Sequence, residues 1–259
     1  MLEPIQEGRA LIEGLAARDG WTRTEYAAER FSFIGYRRFL AGSPELIVYI
    51  EGDGAEWAGQ RQPADPTPPE PDAFRLALAD QGASRLYLGR PCQFLAAAEL
   101  VRCDSVYWAG RRHAPEVIAA LSLAIDREKA ASGARRIVLH GKSGGGVAAA
   151  LVAARRRDVA FLMTAAAYLD SALWTATHGV TPLHGSLNPA DLVADLAHVR
   201  QVHLVGGRDR IAPPAVTQSY AARFPEGAPV AVIVLADFDH DCCWRRRWPA
   251  LLAEYRRLP

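Results

Sequence analysis

The chain has 259 residues, half of them hydrophobic and 23% charged, which suits one large α/β domain over 1–259 with a sizeable core. The net charge of +1 excludes a bulk attraction to nucleic acid or to an anionic membrane, and no apolar run is long enough to span a bilayer. The N-terminus is mixed and charged without a signal-peptide pattern, so the expectation is a cytoplasmic chain, or an exported one whose leader is not part of this sequence.

Residues 1–20 read as a helix with Leu11, Ile12 and Leu15 on one side. Thr24 to Leu40 interleaves aromatic and polar residues and reads as one or two edge strands. After a Gly42-Ser43-Pro44 turn, Leu46 to Ile50 is a continuous apolar run, the pattern of a strand inside a parallel sheet. It ends in Glu51-Gly52-Asp53-Gly54. Glycines directly after a central strand let backbone approach a ligand. The backbone N–H of Asp53 (or Gly54) is therefore a candidate anion donor, with Gly54 and Trp57 as candidate pocket walls. The proline-rich stretch 60–71 reads as an extended surface loop, and Asp72 as the cap of a helix through Ala79.

Ser84 to Gly89 is the next strand. It runs into Arg90-Pro91-Cys92-Gln93, where Arg90 and Gln93 are candidate pocket groups, with structural roles equally open. Pro115 to Ala131 is an amphipathic helix. The stretch that follows organises the chain: a β-branched strand from Ile137, then Gly141-Lys142-Ser143-Gly144-Gly145, then an Ala-rich helix. A tight strand-to-helix turn strains its central serine, so the residues two before and two after must be small. A phosphate-binding loop is excluded, because the first glycine of that pattern would fall on Arg136 and the intervening residues form an apolar strand.

Val159 to Thr164 is another strand, after which the pattern weakens. Residues 169–198, with Trp174, His178, His184 and Gly185-Ser186-Leu187-Asn188-Pro189, read as a modest lid-like insertion. Trp174 is a candidate pocket residue, and the two histidines are surface groups by default. Gln201 to Val205 is a strand followed by Gly206-Gly207-Arg208-Asp209, Pro214 to Phe224 a helix, and Val230 to Leu235 a last strand followed by Asp237-Phe238-Asp239-His240. Trp244 to Arg257 closes the chain as a helix. The arginine runs 155–157 and 245–247 read as solvated faces or helix ends.

Strands alternating with helices imply a mostly parallel sheet of seven or eight strands, covered on both faces. Ser143, Asp209 and His240 each sit just past a different strand, where loops converge. Asp170 is the best alternative partner for the histidine; Asp237, Asp239 and Asp241 share the His240 loop and point back awkwardly. His140 reads as a strand-end residue below the serine. The four cysteines lack metal-ligand spacing. Cys92 and Cys103 could bridge if the chain folds back, or remain buried thiols; Cys242 and Cys243 are adjacent and suit neither zinc nor an ordinary disulfide to each other.

The order Ser143…Asp209…His240, the Gly141-Lys142-Ser143-Gly144-Gly145 turn and the loop from Gly207 to Pro213 together resemble the α/β-hydrolase-fold serine hydrolases over roughly residues 44 to 257. Glu-Gly-Asp-Gly, Arg-Pro-Cys-Gln and Gly-Ser-Leu-Asn-Pro are also similar to a bacterial branch of that family whose members commonly carry an export signal. The resemblance implies a short lid after the sixth strand and catalysis by Ser143, His240 and Asp209. Gly144 and Asp53 N–H would bind the oxyanion. It implies no metal or organic cofactor, and a small-molecule acyl substrate, with a carboxylic ester favoured over an amide or peptide. A non-catalytic binding protein on the same fold is the remaining alternative. Glu51 departs from the family, in which the strand more often ends in His before Gly.

Overall fold

The computed structural model describes residues 4–28, 30–55 and 62–256. Their frame is one eight-stranded sheet in the order β1-β2-β4-β3-β5-β6-β7-β8. Strands β1 (Thr22–Ala27) and β2 (Ser32–Arg38) form an antiparallel hairpin, and β2 runs antiparallel to β4 (Ser84–Leu88). From β4 onward all pairing is parallel, through β3 (Glu45–Ile50), β5 (Arg136–Lys142), β6 (Val159–Ala165), β7 (Gln201–Gly206) and β8 (Val230–Leu235). The mostly parallel sheet and edge hairpin agree with the expectation from sequence.

The continuous apolar run of β3 follows from its central place. Leu46, Val48 and Ile50 enter the core on one face of the sheet, and Ile47 and Tyr49 the core on the other. A strand covered on both faces has no use for alternation. The first core is closed by α4 (Pro115–Ser132), α5 (Gly144–Ala154), α7 (Val193–Leu196) and α8 (Pro214–Ala221). The second is closed by α1 (Pro4–Arg18), α2 (Asp72–Ala79) and α9 (Trp244–Tyr255). Two short helices, α3 (Ala97–Leu100) and α6 (Ser171–His178), add the partly buried Leu100 and Trp174 to the first core. In the second core Trp248 donates to Tyr49 at 3.0 Å, and Tyr49 donates to Asp80 at 2.9 Å. These polar tips are thus satisfied where burial would otherwise make them costly.

Several sequence expectations need correction. The proline-rich loop is extended but not on the surface at its centre: Asp65 to Pro68 are buried. Arg9 pairs with Asp65, and the Pro66 carbonyl accepts the Ala55 N–H at 3.3 Å, so the loop walls the strand end that carries Gly54. Asp72 does not cap α2. Pro71 holds the cap position without a side-chain bond, and Glu51 accepts the Ala73 N–H at 3.2 Å. Arg156 is not a solvated residue; it is buried and clasps Asp126 and Asp158 at 2.6 and 2.8 Å. Of the two alternatives left open for Cys92 and Cys103 the structure has the bridge, because the chain folds back between β4 and α4. Cys242 and Cys243, adjacent as they are, are also joined to each other.

Candidate active site

Strand β5 and helix α5 meet in a turn too tight for ordinary side chains. Ser143 sits at φ 53° and ψ −129°, a region that a non-glycine residue occupies only when its surroundings hold it there. Its N–H donates to the Ala165 carbonyl at 2.9 Å, and its carbonyl accepts from Gly146 at 2.9 Å. A Cβ at position 141 would overlap the Gly145 backbone, and one at 145 would overlap the end of β3. The spacing of small residues around Ser143 is therefore steric.

Two loops bring partners to this serine. His240, after β8, places Nε2 3.2 Å from Ser143 Oγ, and its Nδ1 donates to Asp209 Oδ2 at 2.9 Å. Nδ1 carries the proton in that arrangement, which leaves Nε2 as the acceptor for the hydroxyl. The Asp209 side chain is fully buried. Its other oxygen accepts the N–H groups of Ile211 and Ala212, both at 2.8 Å. Two backbone donors and one imidazole fix both oxygens of the carboxylate. Asp170, the alternative partner, is turned away: it accepts from Leu173 N–H, Ser219 and Arg223, and holds the start of α6. Asp239 is occupied with its own loop, accepting from Asp241 and Cys242 N–H, while Asp237 pairs with Arg208. His178 is tied to the Arg210 carbonyl at 3.0 Å and His184 is exposed; neither approaches the serine. His140 is buried beneath the turn among Tyr49, Phe161 and Trp248, and burial lowers its pKa to about 4.

Behind Gly144 lies a group of charges that sequence reading did not assemble. Asp53 is buried with Arg90 at 3.1 Å, Arg112 at 3.4 Å and the Tyr168 hydroxyl, which donates to it. Burial alone would raise its carboxyl, but Arg112, Arg90 and the tyrosine donor outweigh that and hold it well below the usual carboxylate range. The buried His113 is depressed to about 3 by desolvation and by Arg90; it remains neutral, 3.2 Å from the Gly144 carbonyl. A Cβ on Gly144 would collide with the Asp53 carboxylate. Arg90 is thus not on the pocket wall: it is buried and reaches Asp53 and the carbonyls of Arg112 and Gly144. Gln93 likewise works from behind, donating to the Gly52 carbonyl at 3.0 Å. Gly54, at φ 75°, has no room for a Cβ beneath Pro66 and Gln93.

A cavity of about 600 Å³ opens over Ser143 and His240, lined also by Asp53, Gly54, Lys142, Tyr168, Trp174 and Ile211. Trp174 stacks on Tyr168 with ring centres 4.5 Å apart and donates to the Ile211 carbonyl at 2.6 Å. It thereby ties the 169–198 segment to the Asp209 loop. Trp57, the other candidate wall, lies outside the described residues. Lys142 is buried beside the serine and reaches Asp72 at 2.5 Å. Glu51 is fully enclosed; burial and the charge of Asp72 raise its pKa to about 7, against the N–H groups of Gly52 and Ala73 and the Tyr87 hydroxyl, which donate to it. Among the described residues no group of three or more His, Cys, Asp or Glu is arranged to hold a metal ion, and no helix is long and apolar enough to cross a membrane.

No protein-family model matches the sequence, and no curated protein sequence does. Solved structures do match. An acylaminoacyl peptidase of Pyrococcus horikoshii superposes with a TM-score of 0.66 at 12% identity, covering 92% of this chain and 41% of its own. The chain has the α/β-hydrolase fold. A 2,6-dihydroxy-pseudo-oxynicotine hydrolase gives 0.64 at 18% identity, covering 98% of this chain and 74% of its own. A Pyrococcus furiosus esterase gives 0.59 at 13% identity, with 91% of each chain covered. The chain spans about two fifths of the peptidase's length. In this fold loops at the carboxyl ends of the strands meet over the sheet, and the cavity over Ser143 lies there.

The signals for Ser143, Asp209 and His240 were local: each follows a strand. The signals for Tyr168, Arg112, His113 and Lys142 were not, because they depend on which loops touch. The buried Glu51 could have been suspected from a carboxylate placed directly at the end of a fully apolar strand.

Proposed function

We propose that this chain is a serine hydrolase that cleaves a carboxylic ester or related acyl bond through an acyl-enzyme on Ser143. The observation that carries the reading is the unbroken hydrogen-bonded line from Ser143 through His240 to the enclosed Asp209, at the floor of an open cavity. A neutral serine is a weak nucleophile, and His240 Nε2 takes its proton as the oxygen attacks. Asp209 keeps the imidazole in the tautomer that can do so and stabilises its cation. Gly144 opens helix α5, so its N–H has no carbonyl of its own helix to meet. That N–H and the one at Asp53 (or Gly54) receive the oxyanion, each such donor lowering the barrier by about 3 kcal/mol. His240 then returns the proton to the leaving group, and water repeats the sequence to free the acid.

The same chemistry cleaves amides, and the structural neighbours include a peptidase as well as an esterase. Trp174, Tyr168 and Ile211 make a flat apolar wall beside the serine, which suits an uncharged acyl or alcohol group more than an extended peptide backbone that needs hydrogen-bond partners. Turnover of p-nitrophenyl esters of increasing chain length is compared with aminoacyl anilides. Faster ester cleavage that disappears in His240→Ala supports the reading; cleavage of anilides alone would assign an amidase, and residual cleavage equal to wild type in His240→Ala would remove the mechanism.

A further inference from the structure

The segment after His240 carries chemistry that acyl transfer does not use. Cys242 and Cys243 form a disulfide between neighbouring residues where the His240 loop becomes helix α9. Cys243 occupies the cap position of that helix at φ 79°, a region unfavourable for any residue with a Cβ. Both cysteines are half-buried and line a groove of about 880 Å³. This groove is separate from the cavity over Ser143, although Asp241 borders both. Its charge is unbalanced. Arg18, Arg75, Arg245 and Arg246 line it against Asp19 and Asp241. Arg18 is paired with Asp19 at 2.7 Å and Arg75 with Glu70 at 2.6 Å. Arg245 and Arg246 are exposed on the first turn of α9, and Arg246 Nη2 stands 4.0 Å from Cys243 Sγ.

We propose that Cys242–Cys243 is a thiol-exchange site, that the arginine groove selects a small thiol carrying carboxylates, and that opening the disulfide uncouples His240 from Ser143. The thiolate of the bound molecule attacks Cys242 Sγ, and the S–S electron pair leaves on Cys243 Sγ. That thiolate forms at a helix N-terminus beside a guanidinium, the two settings that stabilise it and speed its departure. A second molecule of the same thiol attacks the external sulfur of the mixed disulfide. Cys242 leaves as a thiolate, and both protein sulfurs equilibrate with solvent protons. Two external thiols become one disulfide, and one protein disulfide becomes two thiols.

The link to His240 runs through the backbone. Asp239 accepts from the N–H groups of Asp241 and Cys242 at 2.9 and 2.6 Å, and its carbonyl accepts from the Trp244 indole at 3.0 Å. The turn that carries His240 is thus anchored on the cysteine pair and on the start of α9. With the ring open, Cys243 is free to leave its left-handed conformation, and the Cys242 N–H anchor moves with it. The coupling rests on the proposed roles of Ser143 and His240; the exchange site does not.

The test exposes the oxidised protein to glutathione, which carries carboxylates, and to neutral 2-mercaptoethanol at equal thiolate concentration. Free thiols are alkylated at intervals and mapped by mass spectrometry, with the Cys92 and Cys103 peptides followed separately. Cys242 and Cys243 should open first, roughly five-fold faster with glutathione, and the preference should vanish in high salt or in Arg245→Gln/Arg246→Gln. Fluorophosphonate labelling of Ser143 should fall in step, and Cys242→Ser/Cys243→Ser should make that labelling indifferent to thiols. Equal rates for the two thiols would overturn the groove's role, and full labelling of Ser143 with the pair open would overturn the coupling. If Ser143 is never labelled while the pair opens as expected, the acyl-transfer reading fails and the exchange site stands.

Discussion

Two regions flank Ser143 and are built on different principles. On one side Ser143, His240 and Asp209 stand in a single line, each at the end of a strand, each with one task and few contacts. On the other, Asp53 sits in a buried cluster with Arg90, Arg112, His113 and Tyr168, drawn from four separate segments. In the proposed mechanism the first region works only if its three groups are aligned, and the second holds the backbone from which Gly144 and Asp53 are proposed to present their N–H groups. A line fails when any member is removed; a cluster fails by degrees.

The sharpest way to separate them is to cut the line. Asp209→Asn keeps the volume but favours the wrong histidine tautomer, and kcat should fall about 10⁴-fold with KM little changed. Circular dichroism and thermal melting should show an intact fold. Next comes the contact between the two regions. Gly144→Ala sets a methyl group against the Asp53 carboxylate and displaces a proposed oxyanion donor, so kcat should drop about 10²-fold. Wild-type rates in this variant would show that the cluster does not hold the donor in place.

Residue patterns report strands, turns and chain order well, because these depend on near neighbours. Leu46 to Ile50, the small residues around Ser143 and the places of Asp209 and His240 after β7 and β8 were all legible, and a mostly parallel sheet of seven or eight strands followed, of which the structure has eight. Arg90 was read as a candidate pocket group, yet it is buried behind the turn, since only the pairing of β4 with β3 brings it to Asp53. Asp72 looked like a helix cap and instead meets Lys142, while Glu51, just past the end of β3, accepts from the first turn of the helix. Two adjacent cysteines were read as unsuited to each other, because sequence carries no sign that Cys243 adopts a left-handed backbone. What escaped was mostly contact between segments distant in sequence, and for the cysteine pair a local backbone conformation.

The enclosed Glu51, just before the loop that carries Asp53, offers a test through stability. Its pKa is raised from 4.5 to about 7 in the folded chain. Between those values the folded chain keeps a proton that the unfolded chain has released, so Glu51 makes stability fall as pH rises, and its contribution levels off above pH 7. Glu51→Gln can still accept from Gly52 and Ala73 without ionising. The stability of this variant relative to wild type should rise by about 3 kcal/mol between pH 4 and pH 8 in urea unfolding. A difference that does not change with pH would contradict the buried, raised carboxyl. The smallest effect belongs to the wall both regions share. Trp174→Ala removes a stacked ring from Tyr168 and should raise KM for apolar esters roughly three- to ten-fold, with kcat changing less.

The central claim is that Ser143 is the nucleophile, and the most direct measurement is active-site labelling with a fluorophosphonate, followed by peptide mapping. One adduct per chain is expected, on Ser143, absent in Ser143→Ala and much slower in His240→Ala. An unlabelled wild-type protein, or equal labelling of wild type and Ser143→Ala, would contradict it.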